Sequence, residues 1–122
     1  MSPEVDGAES AGSAPIRVLL DESVPHDLAE HLGDFVATTV QALGWAGMKN
    51  GALLRAASEA GFAVLVTVDR RMEYQQNIAR SGLALVVLRA RTTRLVDLLP
   101  LIPSLRAALR QARSGAVTHV GD

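Results

Sequence analysis

The sequence predicts an α/β fold, a three-layer α/β/α sandwich with a four- or five-stranded parallel sheet, on three observations. Short apolar runs alternate with stretches of helical spacing from Ile16 to Val120. Two of the runs, "FAVLVTV" and "LALVVL", are apolar but for one β-branched threonine, as strands buried on both faces are. Between successive runs lie enough residues for a crossover, which parallel strands require and hairpins do not.

Taken in order, "IRVLL" reads as a strand stopped by the polar "DES". "VPHDLAEHLG" then carries Val24, Leu28 and Leu32 at helical spacing, with Gly33 as a stop. "FVATTV" is a second strand, and "QALGWAGMKN" a turn of helix plus a loop. "GALLRAASEAG" is a helix with Leu53, Leu54 and Ala57 on one face. "FAVLVTV" is a central strand and "DRRMEYQQNIARSG" a helix; "LALVVL" is the next buried strand. Pro100 and Pro103 should kink or divide the helical segment "TTRLVDLLPLIPSLRAALRQARSG", because an interior proline removes a backbone donor and clashes with the preceding turn. "AVTHV" closes the chain as an edge strand.

The 122 residues suffice for one domain, expected over 15–122, behind a disordered acidic leader at 1–14 that has little to bury. Aromatic residues make up only 3% of the chain, so Ala, Val and Leu must build the core. Without cysteine there are no disulfides, thiolate nucleophiles or Cys-ligated zinc. No run reaches the ~18 apolar residues of a membrane span, and the first residues lack the order of a signal peptide. The expected setting is cytoplasmic, with no membrane partner.

The net charge of -1 conceals an asymmetry. From Arg80 to Arg113 there are seven arginines against one acid, Asp97. Such a half attracts a polyanion or an acidic partner, or else its arginines line solvated helix faces and helix C-termini.

Chemistry-bearing residues collect where the best strands end. "VLLDES" places Asp21 and Glu22, and "LVTVD" places Asp69, at what would be one edge of a parallel sheet, where ligands of such folds bind. Glu73 and Asn77, four and eight positions after Asp69, would share one helix stripe with it. Clustered carboxylates are best stabilised by a hard cation, Mg²⁺ or Mn²⁺, and the chemistry that follows is phosphodiester hydrolysis. The same aspartates would alternatively serve as helix N-caps, each worth about 1 kcal/mol. His26, His31 and His119 lack ligand spacing, no nucleophile elbow or phosphate-binding glycine loop is present, and Trp45 reads as a packing anchor for its loop.

With "LLDESVP", "TVQALGWAGMKNGALLRAA", "VLVTVDRRMEYQQN" and "ALVVL" in place, the chain resembles the small bacterial PIN-like proteins, relatives of the PIN-domain ribonucleases that are often taken for toxins of toxin-antitoxin pairs. The resemblance runs from about Ile16 to Val120 and lies in the whole pattern. It implies a five-stranded parallel sheet with an acidic Mg²⁺ site at the strand ends. Asp21 stands for the family's first acid and Asp69 for a later one. In "KNGAL", Asn50 and Ala52 occupy positions where relatives carry Asp and Glu, and Arg71 replaces a further acid.

Two readings follow. The first is a metal-dependent ribonuclease: Asp21 and Asp69 hold Mg or Mn, Glu73 or Asn50 positions a water, Glu22 and Asn77 support the site, and Arg70, Arg106 and Arg110 contact nucleic acid. Its partners would be RNA, an antitoxin protein or a second copy of the chain. The second is a catalytically degenerate PIN-like module that binds RNA or a partner protein through its arginines. A phospho-acceptor receiver domain fits less well, because Arg89 and Ala90, not Lys-Pro, follow "LALVVL".

Overall fold

The computed structural model describes residues 15–121. The leader expected at 1–14 lies outside the described residues, as does Asp122.

Five strands, β1 (Arg17–Leu20), β2 (Val36–Thr39), β3 (Val64–Thr67), β4 (Ala84–Arg89) and β5 (Val117–Gly121), form one sheet in which every pairing is parallel. Their order is β2-β1-β3-β4-β5. The expected final edge strand is β5, and the strand order reverses between β1 and β3.

The alternation of side chains along each strand divides the core into two layers. Val18, Leu20, Val64, Val66, Val86 and Leu88 face one side, under Leu28, Leu32, Leu98, Leu105 and Leu109. Leu19, Leu65, Leu85 and Val87 face the other, under Leu53, Leu54, Ala57, Met72 and Ile78. Helical layers on both sides explain why the strands read as near-continuous apolar runs. Each fully buried leucine contributes about 1.5–3 kcal/mol relative to exposure.

Helix α1 (Asn50–Glu59) covers the second face, while α3 (Leu95–Leu98) and α4 (Ile102–Gln111) cover the first. The prolines divide that last segment as expected: a 3₁₀ turn at Leu99–Leu101 contains Pro100, and Pro103 sits in the opening turn of α4 where its missing N–H costs nothing. Trp45 packs against the second core layer, edge-on to Phe62 at 6.5 Å between ring centroids.

Two expected α-helices are replaced by tighter turns. His26–His31 is a six-residue 3₁₀ helix. At 2.0 Å per residue it covers ~12 Å, close to the ~13 Å of a four-residue strand, whereas α geometry would cover only ~9 Å. The helix expected from Asp69 onward is one turn, α2 (Met72–Gln75), followed by an extended Gln76 and a 3₁₀ turn at Ile78–Arg80. Met72 and Ile78 are both buried, and on one continuous α-helix residues six apart would point about 120° away from each other. Breaking the helix lets both reach the sheet.

Candidate acidic site at the carboxyl ends of the strands

Asp21 directly follows β1, and its backbone N–H still donates to Val66 O of β3 at 2.9 Å. The residue is buried at 7% exposure, and both oxygens of its carboxylate accept hydrogen bonds. Oδ1 accepts the Glu22 N–H at 2.8 Å; Oδ2 accepts the hydroxyls of Ser23 and Thr67, each at 2.8 Å. Two hydroxyl donors and an amide satisfy a carboxylate that burial would otherwise penalise.

Thr67, the last residue of β3, has no exposed surface and joins the two acids. Its Oγ1 donates to Asp21 and accepts the Asp69 N–H at 3.0 Å. Ser23 Oγ accepts the Val68 N–H at 3.3 Å, so the segments after β1 and β3 are stitched together across the point where strand order reverses. In open α/β sheets this crevice is where ligands bind. Neither hydroxyl stood out in the sequence, although each lies two positions from an acid, in "DES" and "TVD".

Asp69 is more open, with 21% of its side chain exposed. Oδ1 accepts the Arg71 N–H at 2.9 Å and Arg71 Nε at 3.2 Å. The Arg71 side-chain hydrogen bonds hold the Asp69 carboxyl below its ordinary value, against the opposing effect of partial burial. The Arg71 backbone N–H and the Asn50 side chain act in the same direction as the guanidinium. Asn50 therefore contributes to the site from the start of α1. The sequence also offered it as a helix cap, and here it differs: Lys49 holds the cap position, with no side-chain cap bond, and Asn50 is the first residue of α1.

The other expected site residues go elsewhere. Glu22 accepts the Gly47 N–H at 2.8 Å and fastens the tryptophan loop. Glu73 pairs with His119 of β5, Oε1 to Nε2 at 2.5 Å. Asn77 falls beyond the break after α2, so the expected stripe of Asp69, Glu73 and Asn77 does not form; Asn77 lines a separate hollow with Gly51, Arg55 and Gln76. Arg106 and Arg110 of α4 both bind Asp34, which precedes β2 at the amino edge of the sheet, opposite the acids. Arg70 is exposed beside Asp69.

For a divalent cation the relevant quantity is spare acceptor capacity. A carboxylate offers about four lone-pair sites. Asp21 uses three of these, on Glu22, Ser23 and Thr67, and Asp69 uses three on Arg71. One oxygen position on each acid thus remains. Among the described residues no group of three or more His, Asp or Glu side chains is arranged to hold a metal. Mg²⁺ commonly keeps most of its waters, so one oxygen from each acid is the share that a hydrated Mg²⁺ or Mn²⁺ would use.

No family model, curated protein or solved structure matches the chain. Among the described residues, no helix is long and apolar enough to cross a membrane.

Proposed function

We propose that the chain is a cytoplasmic, divalent-cation-dependent phosphodiesterase of the PIN-like class acting on RNA, the toxin of a toxin-antitoxin pair in the sense of the resemblance. The observation that carries this reading is the pair Asp21 and Asp69, at the ends of adjacent parallel strands, coupled through the Thr67 hydroxyl at the reversal of strand order. Mg²⁺ or Mn²⁺ would be held by one oxygen from each acid, and when bound supplies an activated water and charge neutralisation at the phosphate. The hydroxyls of Ser23 and Thr67 hold the Asp21 carboxylate as an acceptor in fixed orientation. Arg71 keeps Asp69 ionised and, with 76% of its side chain exposed, can turn from the carboxylate to a phosphate oxygen at small cost. The Asn50 side chain adds to the lowering of the Asp69 pKa.

A second reading, a non-catalytic module of the same class that binds RNA or a partner protein, draws on a different observation. Arg71 neutralises Asp69, and Glu73 is bound to His119. One experiment separates the readings: calorimetric titration of Mg²⁺ and Mn²⁺ into the native protein and Asp69→Asn, with RNA cleavage followed in parallel. Metal binding and cleavage that both depend on Asp69 are expected. No binding at millimolar metal, with no cleavage, would establish the second reading.

A further inference from the structure

A hollow of about 140 Å³ opens on the α1 side of the sheet, over β4 and β5, lined by Arg70, Glu73, Tyr74, Val87, Arg89 and His119. It adjoins the acidic site through the chain itself: Arg70, which lines it, directly follows Asp69. Its charge is opposite to that of the crevice. Among the described residues neither Arg70 nor Arg89 is paired with a carboxylate. Arg89 Nε is buried without a hydrogen-bond partner, an arrangement that leaves a charged donor unsatisfied until an acceptor enters. Glu73, the one acid of the lining, is already engaged by His119. At the rim stands Tyr74, an aromatic ring with 79% of its surface exposed.

A partly buried guanidinium with an unpartnered Nε, a second arginine without a carboxylate partner and an exposed ring have a shared ligand chemistry. Arginine forks match phosphate oxygens, and exposed aromatic rings stack on nucleobases of any sequence. A duplex keeps its bases stacked inside, so only a single strand offers a phosphate and an open base face together. We propose that this hollow is a nucleotide subsite, with Arg70 and Arg89 on a phosphate of single-stranded nucleic acid and Tyr74 stacked on the adjoining base. It rests on the phosphodiester reading and specifies its substrate as single-stranded.

The test is fluorescence anisotropy with short labelled RNA and DNA strands, and with the matching duplex, in metal-free buffer. Native protein is compared with Tyr74→Ala and Arg70→Ala, whose exposed side chains can be removed without disturbing the core. Tyr74→Ala should weaken single-strand binding about tenfold. Arg70→Ala should weaken it and lower the slope of log affinity against log salt by about 1. Tighter binding of RNA than DNA supports the subsite with RNA as its substrate; the reverse supports it with DNA. Native-like binding by both variants, preference for the duplex, or no binding by the native protein overturns the proposal. Binding that depends on Tyr74 and Arg70, without cleavage by the native protein in Mg²⁺ or Mn²⁺, would leave the subsite standing while the catalytic reading falls.

Discussion

Arg71 grips the carboxylate of Asp69 two residues before it, with Nε 3.2 Å from Oδ1 and Nη2 3.5 Å from Oδ2. In the resemblance this position carries an acid, so a single residue replaces a prospective metal ligand with a cation that competes for one. An exposed ion pair is worth at most about 1 kcal/mol, roughly fivefold in affinity. Arg71→Ala is therefore expected to tighten Mn²⁺ binding by up to about fivefold, and Arg71→Asp by more, in calorimetric titration. Equal affinities for native protein and Arg71→Ala would show that the guanidinium does not compete with the ion.

The same pairing makes stability depend on pH in a defined direction. The Asp69 carboxyl titrates below its ordinary 3.8 in the folded chain, mainly through Arg71. A carboxyl depressed by folding contributes stability above its unfolded pKa and loses it as pH falls through the folded value. Urea unfolding should thus find the stability difference between native protein and Asp69→Asn largest near neutrality and shrinking below pH 3.8. In an Arg71→Ala background the pH dependence should flatten. A difference that grows on acidification would contradict the assignment.

Thr67 is the part of the site most dependent on burial. Replacing it with Val keeps the shape but leaves Asp21 Oδ2 short of a donor and the Asp69 amide without its acceptor. Leaving such groups unsatisfied costs about 1–3 kcal/mol. Thr67→Ser keeps the hydroxyl and loses one methyl, about 0.8 kcal/mol. Chemical denaturation should therefore rank Thr67→Val below Thr67→Ser, and metal binding should weaken only in the valine variant. The opposite ranking would mean that the methyl, not the hydroxyl, is what the site uses.

How much of this was legible in the sequence depends on the range of each interaction. The strands were legible because burial on both faces leaves near-continuous apolar runs such as "FAVLVTV". Asp21 and Asp69 were legible as acids that end such runs. Ser23 and Thr67 were not, since a hydroxyl in a strand or turn has an ordinary local explanation, and only the pairing of β1 with β3 brings them together. Asn77 was misplaced by assuming a continuous helix, which the need to bury both Met72 and Ile78 breaks. The His119 partner of Glu73 lies 46 residues away from it, and Asp34 lies 72 residues from Arg106. No local pattern encodes such pairings.

The arginines can be separated by the edge of the sheet on which they lie. Arg106 and Arg110 share Asp34, with Arg110 also over the Phe35 ring at 5.8 Å, at the amino edge. The Arg106 guanidinium lowers the Asp34 pKa most, with Arg110 adding to it. Because this carboxylate offsets one of their two charges and they stand across the sheet from the acids, they are poorly placed to hold a strand that crosses the carboxyl edge. Arg106→Ala with Arg110→Ala should leave single-strand affinity within about twofold and the salt slope unchanged. Arg70→Ala, one cation fewer beside Asp69, should lower that slope by about 1. Anisotropy titrations over a range of salt concentrations measure both. A fall in slope of about 2 for the double variant, with none for Arg70→Ala, would move the nucleic-acid surface to α4 and the amino edge.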